Sequence, residues 1–174
     1  MRRQGQVFGH TEEEALAARL GLAGERLDDW RWGRAAARAL FGPGVGLDRA
    51  EDGTPLVRGA PGLVTISHTR TWAAAAAGEV AALGIDVCDH ADAARVRRVL
   101  PRFGGYDQAL LDGGSDRDFC CFWAIKEAAA KALNVGLLDG GLKATRLVSL
   151  SEIHGGLQVS VEDLDDAVCA LVWR

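Results

Sequence analysis

The chain lacks a basic excess, a long apolar run and any patterned set of cysteines. Lys and Arg number 20 against 24 Asp and Glu, a formal net charge of −4. That balance argues against bulk nucleic-acid binding and gives no general attraction to an acidic partner. Recognition of phosphate or of an acidic protein therefore has to come from local arginines. Apolar runs such as Trp72 to Ala77 are far too short to span a bilayer, and no apolar segment follows the charged start Met-Arg-Arg-Gln-Gly. Cys88, Cys120, Cys121 and Cys169 show no metal-ligand spacing, and the adjacency of Cys120 and Cys121 suits no ordinary disulfide. A reducing cytoplasm is the expected compartment. With 174 residues, 48% hydrophobic and 25% charged, the chain is long enough for one domain or two small halves with a real core.

The most informative stretch is Phe119 to Gly136. Phe119, Phe122, Trp123 and Ala130 recur at three- and four-residue steps, which predicts a helix with one buried face. Trp123, Glu127 and Lys131 lie one turn apart, so the acid and the base fall on or beside the apolar stripe. An ordinary i,i+4 Glu-Lys pair contributes only about 0.2–0.5 kcal/mol, a small return for a carboxylate beside a tryptophan. Upstream, Val80 to Cys88 has the composition of a buried strand whose one charge is Asp86. Such an Asp is costly unless paired, hydrogen-bonded or bound to a cation. Asp86 and Glu127 together would supply two hard oxygen ligands of the kind Mg²⁺ takes.

The remaining elements follow from local signals. Thr11 before Glu12, Glu13 and Glu14 reads as a capping box opening a short helix that stops at Gly21. A second helix is expected over Glu25–Phe41, ended by Gly42-Pro43-Gly44, with Leu27, Trp30, Ala37 and Leu40 or Phe41 inward. Residues 42 to 62 are rich in turn words, including Ala60-Pro61-Gly62, and are expected to be loop. Leu63–Ile66 reads as a strand with Trp72–Ala77 as its hairpin partner. Ala91–Leu100 reads as a helix stopped by Pro101 and carrying Arg95, Arg97 and Arg98. Gly104-Gly105 and Asp112-Gly-Gly-Ser115 flank a weak helix, and Ser115 or Asp116 caps the central one. Three antiparallel strands are expected at 145–150, 157–161 and 168–172.

Gly84-Ile-Asp86 followed by Trp123-Ala-Ile-Lys-Glu127-Ala-Ala-Ala-Lys131-Ala resembles the paired signature of the 4′-phosphopantetheinyl transferases. Gly53-Thr-Pro55, Thr65-Ile-Ser-His-Thr69 and Gly33-Arg-Ala-Ala-Ala-Arg-Ala-Leu40 resemble further pieces of that family in the same order, over about residues 30 to 136. The resemblance implies an α+β fold of two similar halves, each a small antiparallel sheet packed on a long helix. The halves would be residues 1–82, with the coenzyme A-binding elements, and 83–174, with the metal site and the carrier-protein side. It implies transfer of the 4′-phosphopantetheine arm of coenzyme A to a serine of an apo acyl or peptidyl carrier protein, with release of 3′,5′-ADP.

Residue by residue, the resemblance implies Mg²⁺ on Asp86 and Glu127, with Asp86, Glu127 and Lys131 catalytic. Coenzyme A would meet Ser67, His68, Arg34, Arg38, Gly53, Thr54, Pro55 and Lys131, and an acidic carrier helix would dock on Arg95, Arg97 and Arg98. A monomer or weak dimer is expected, with neither nucleic acid nor membrane as partner. Three departures stand against the family's pattern. Cys88 occupies the place of a usual third acidic ligand, so a water or Asp89 would have to fill it; strand alternation turns Asp89 to the other face and favours water. Thr54 replaces a frequent basic residue. The amino-terminal half is short and is expected to lack strands before its first helix. The competing expectations are a degenerate relative that binds without transfer, and a structural α+β interaction domain in which Asp86 and Glu127 pair with arginines.

Overall fold

Two helices of equal length organise the structure, a computed structural model that describes residues 1–3, 11–42, 45–59, 61–103, 109–136 and 145–174. The first, α2 (Glu25–Phe41), lies on a hairpin of β3 (Leu63–His68) and β4 (Ala73–Gly78). The second, α4 (Asp116–Ala132), lies on a three-stranded antiparallel sheet ordered β5-β9-β8, made of Leu83–Asp89, Ala167–Trp173 and Gln158–Asp163. The architecture is mixed α+β, built from small antiparallel sheets and helices. A short helix α1 (Thr11–Arg19) precedes α2, and α3 (Ala93–Phe103) packs on α4. No helix among the described residues is long and apolar enough to cross a membrane.

The main core lies under α4. Cys121, Phe122, Ile125, Ala128 and Ala129 face β5 and β9, whose Val168, Ala170 and Val172 are fully covered. Every residue of β5 is buried, because α4 covers one face and the β3-β4 hairpin crowds the other. Ser115 begins α4 with a reciprocal capping box: its hydroxyl accepts from the Asp118 amide while the Asp118 carboxylate accepts from the Ser115 amide. Gly84 permits the close approach of helix to strand. A Cβ there would lie 2.7 Å from the Ala132 amide nitrogen and 2.9 Å from the Ala128 carbonyl carbon.

The two sheets meet along β3 and β5, and the seam is made by side chains. The amide of Ile85 donates to Thr65 Oγ1 at 3.3 Å and that of Val87 to Ser67 Oγ at 3.2 Å. Hydroxyls of one strand thus satisfy the backbone of its neighbour, which a buried polar edge requires.

Several expectations are corrected. The inward face of α2 is Trp32, Gly33, Ala36 and Ala37, rotated from the one expected, and Leu40 is exposed. Small residues win that face because α2 sits close on β3: a side chain at Gly33 would meet Ile66 Cγ2 at 2.7 Å. The segment expected to be loop contains a hairpin of β1 (Leu47–Arg49) and β2 (Pro55–Val57). Before the first helix, Arg2 makes an isolated bridge to Trp72 and the Arg3 amide donates to the Thr71 carbonyl at 2.8 Å, a contact that falls short of a strand. Pro101 lies inside α3, whose last turn continues to Phe103; so near the helix end a proline removes one bond without ending it at once. The tail holds four strands, because β6 (Leu147–Ser149) and β7 (Glu152–Ile153) form their own hairpin. Pro43, Gly44, Ala60, Gly104 and Gly105 lie outside the described residues, as does the Thr11 side chain of the expected capping box.

Candidate functional site

Strand alternation sends Asp86 to the side where β3 and α4 converge, while Ile85 and Val87 pack away from it. Asp86 is 3% exposed, and its carboxylate is held by two donors. Ser67 Oγ donates to its Oδ1 at 2.7 Å, and the Lys131 ammonium donates to the same oxygen at 2.7 Å. Lys131 Nζ also donates to the Ile85 carbonyl at 3.0 Å and faces the Ile66 carbonyl at 3.5 Å. It thereby ties β3, β5 and α4 together. Among the described residues no arginine pairs with Asp86; its cation is Lys131.

Glu127, one turn before Lys131 on α4, lines the same cleft as Asp86. Burial of its carboxyl, and then the neighbouring Asp86 charge, push its pKa up to about 8, with Lys131 opposing the shift. Two carboxyls that face one cleft form a site that a divalent cation fits, since both are hard oxygen donors. Cys88 does not fit that role. The hydrogen-bonded Cys120 thiol beside it, burial and the Asp86 charge all favour its neutral form, and its sulfur is soft. Asp89 is engaged elsewhere: Thr69 Oγ1 and Thr71 Oγ1 each donate to its Oδ1 at 2.7 Å. Among the described residues no group of three or more His, Cys, Asp or Glu converges as a ligand set.

These groups line a cleft of about 780 Å³ together with Ser67, His68, Arg70, Asp92, Arg95 and Trp123. His68 ends β3 with its imidazole at the cleft, and its pKa is lowered chiefly by burial, with Lys131 and Arg3 adding to the effect against Asp29. A second cleft of about 530 Å³ adjoins the first at Ile66 and Lys131 and is lined by Gly53, Thr54 and Pro55. Asp52 fixes that loop, accepting from the Thr54 amide at 2.9 Å and from Asn134 Nδ2 at 3.0 Å beyond the end of α4. The structure thus brings Gly53, Thr54, Pro55, Ser67, His68, Asp86, Glu127 and Lys131 along one groove.

No family model matches the chain. No curated protein matches it either. The sequence resemblance and the geometry of the groove therefore carry the functional argument.

Other expected residues lie apart. Arg34 is 4% exposed; it donates to the Leu47 carbonyl at 3.1 Å and stacks on Trp30 at 4.1 Å. It joins α2 to the β1 strand, and neither it nor Arg38 lines the two clefts. Arg97 binds Asp116 at 2.5 Å and lies over the Phe119 ring, which removes it from a free basic patch on α3. Arg95 points into the main cleft.

Sequence reasoning missed Arg70 and Asp92 as cleft residues, although Arg70 directly follows the Ser-His-Thr stretch. It also missed Lys126, 1% exposed, whose amine reaches the Thr145 carbonyl and the face of Phe122. The four-residue step from Phe122 to Lys126 was the available signal.

Proposed function

We propose that the chain is a 4′-phosphopantetheinyl transferase acting on coenzyme A and an apo carrier protein. The observation that carries this reading is the convergence of Asp86 and Glu127, beside Lys131 and His68, in a groove that continues to Gly53-Thr54-Pro55. The order of these residues, and their identity except at Thr54, are those of the resemblance, and the groove has room for a nucleotide diphosphate with a pendant arm.

In this reading the carrier serine oxygen forms a bond to the phosphorus that bears the pantetheine arm. The bond from that phosphorus to the bridging oxygen breaks, and 3′,5′-ADP leaves with the electron pair. Asp86 and Glu127 would hold Mg²⁺, which when bound neutralises diphosphate charge. Glu127, or a water it holds, accepts the serine proton. Lys131 and Ser67 hold the Asp86 carboxylate in place, and His68 donates an imidazole N–H toward the anionic oxygens. Carrier docking falls to the exposed face of α3 that includes Arg98.

Incubation with coenzyme A, Mg²⁺ and a panel of apo acyl and peptidyl carrier proteins, followed by intact mass measurement, tests the reading. One carrier gains the mass of a single phosphopantetheine arm. No mass gain on any carrier, with coenzyme A still bound, would leave a binding protein instead of an enzyme.

A further inference from the structure

The cationic group that the resemblance assigns to the diphosphate is already committed. Lys131 has three ammonium protons, and three oxygens face them: Asp86 Oδ1, the Ile85 carbonyl and the Ile66 carbonyl. Turning that amine toward a ligand would strip a 3%-exposed carboxylate of its cation. His68, at the exposed end of β3, offers a single imidazole N–H. A substrate with two phosphoryl charges needs other partners.

Two guanidinium groups in the same cleft are uncommitted. Arg70 follows β3 in the turn toward β4, and Arg95 stands on the first turn of α3, so one comes from each side of the β3-β5 seam. Both are exposed, and neither has an ion pair or hydrogen bond among the described residues. Arg95 acts electrostatically on Glu127, which places its charge within range of the carboxyl pair. Of the other acids in the cleft besides Glu127, Asp29 is ion-paired with Arg3 at 2.5 Å and Asp86 with Lys131, while Asp92, just before α3, has no ion pair among the described residues and leaves two arginines against one such acid. We propose that Arg70 and Arg95 form an anion clamp that takes the diphosphate oxygens of the ligand, while Lys131 acts as a positioning residue for Asp86. The planar, permanently charged fork of arginine suits phosphoryl oxygens. Because one arm comes from the β3-β4 turn and the other from α3, a diphosphate held between them bridges the two sides of the cleft.

The inference rests on the coenzyme A reading above, and one experiment separates the two. Calorimetry with Mg²⁺ measures binding of coenzyme A and of 3′-dephospho-coenzyme A to the wild type, Arg70→Ala, Arg95→Ala and Asp86→Asn, with Arg146→Ala as an exposed arginine outside the cleft. Arg70→Ala and Arg95→Ala each weaken both ligands by about tenfold, as expected for a lost charged hydrogen bond, and Arg146→Ala changes neither. Both arginines are exposed, so thermal unfolding of the variants stays at the wild-type temperature. Coenzyme A binding that depends on Asp86 yet is unchanged in both arginine variants overturns the clamp and leaves the reading intact. A loss confined to coenzyme A, sparing the dephospho form, overturns the diphosphate assignment. Absence of binding to the wild type overturns clamp and reading together.

Discussion

Ser67 Oγ donates to Asp86 Oδ1 at 2.7 Å while accepting from the Val87 amide at 3.2 Å, so its single proton is committed to the carboxylate. One hydroxyl thus joins the two sheets and fixes the buried acid. Ser67→Ala leaves the Asp86 carboxylate and the Val87 amide each short of a partner in a buried place. The expected cost is about 1–3 kcal/mol in urea unfolding. A variant as stable as the wild type would mean that the seam does not depend on this hydroxyl.

Gly84 is required by the closeness of α4 to β5. Gly84→Ala would set a methyl group against helix backbone at Ala128 and Ala132, which cannot rotate away as a side chain can. The expected loss is about 3 kcal/mol or more, beyond the usual overpacking range of about 1–3 kcal/mol where side chains give. Soluble, normally stable Gly84→Ala protein would contradict the packing described.

Lys126 is a buried support beneath the site, linking α4 to Thr145. Lys126→Ala removes both its packed stem and its bond to the carbonyl, and about 2–4 kcal/mol of stability should go with them. Lys126→Met keeps most of the stem and should cost less. Denaturant midpoints of the two variants check the order.

Glu127 makes the metal-free protein sensitive to pH in a definite direction. Its folded pKa, near 8, lies above the ordinary 4.5, so between those values the folded state binds more protons than the unfolded one. Stability from this group is full below about pH 4.5 and declines as pH rises toward 8. Glu127→Gln should flatten that decline, and Mg²⁺ should offset it in the wild type by favouring the ionised pair. Thermal unfolding from pH 5 to 9, with and without Mg²⁺, checks both; a decline that persists in Glu127→Gln would assign it to another group.

Much of the site was legible because its chemistry is local in sequence. Asp86 stood out as a charge in an apolar strand, and Glu127 and Lys131 as charges beside an apolar helical stripe. The bounds of α2 and the Ser115 cap followed from turn and capping residues in the same way. What the sequence did not show depends on approach between distant segments. The tight fit of α2 on β3 at Gly33 turned an alanine face inward in place of Leu27, Trp30 and Leu40. The use of Asp89 by Thr69 and Thr71 requires the β3-β4 turn to lie beside the end of β5. The resemblance implied Arg34 as a coenzyme A contact, yet its surroundings are Trp30 and the Leu47 carbonyl. The β1-β2 hairpin was hidden because turn residues dominate a segment whose strands are only three residues long.

The central claim is that Asp86 and Glu127 jointly hold one divalent cation. Mn²⁺ binding, followed by electron paramagnetic resonance on the wild type, Asp86→Asn and Glu127→Gln, tests it most directly. The account predicts one Asp86-dependent and Glu127-dependent Mn²⁺ per chain, displaced by Mg²⁺. Wild-type protein that binds no Mn²⁺ at millimolar concentration, or binds it equally well without either carboxylate, would contradict it.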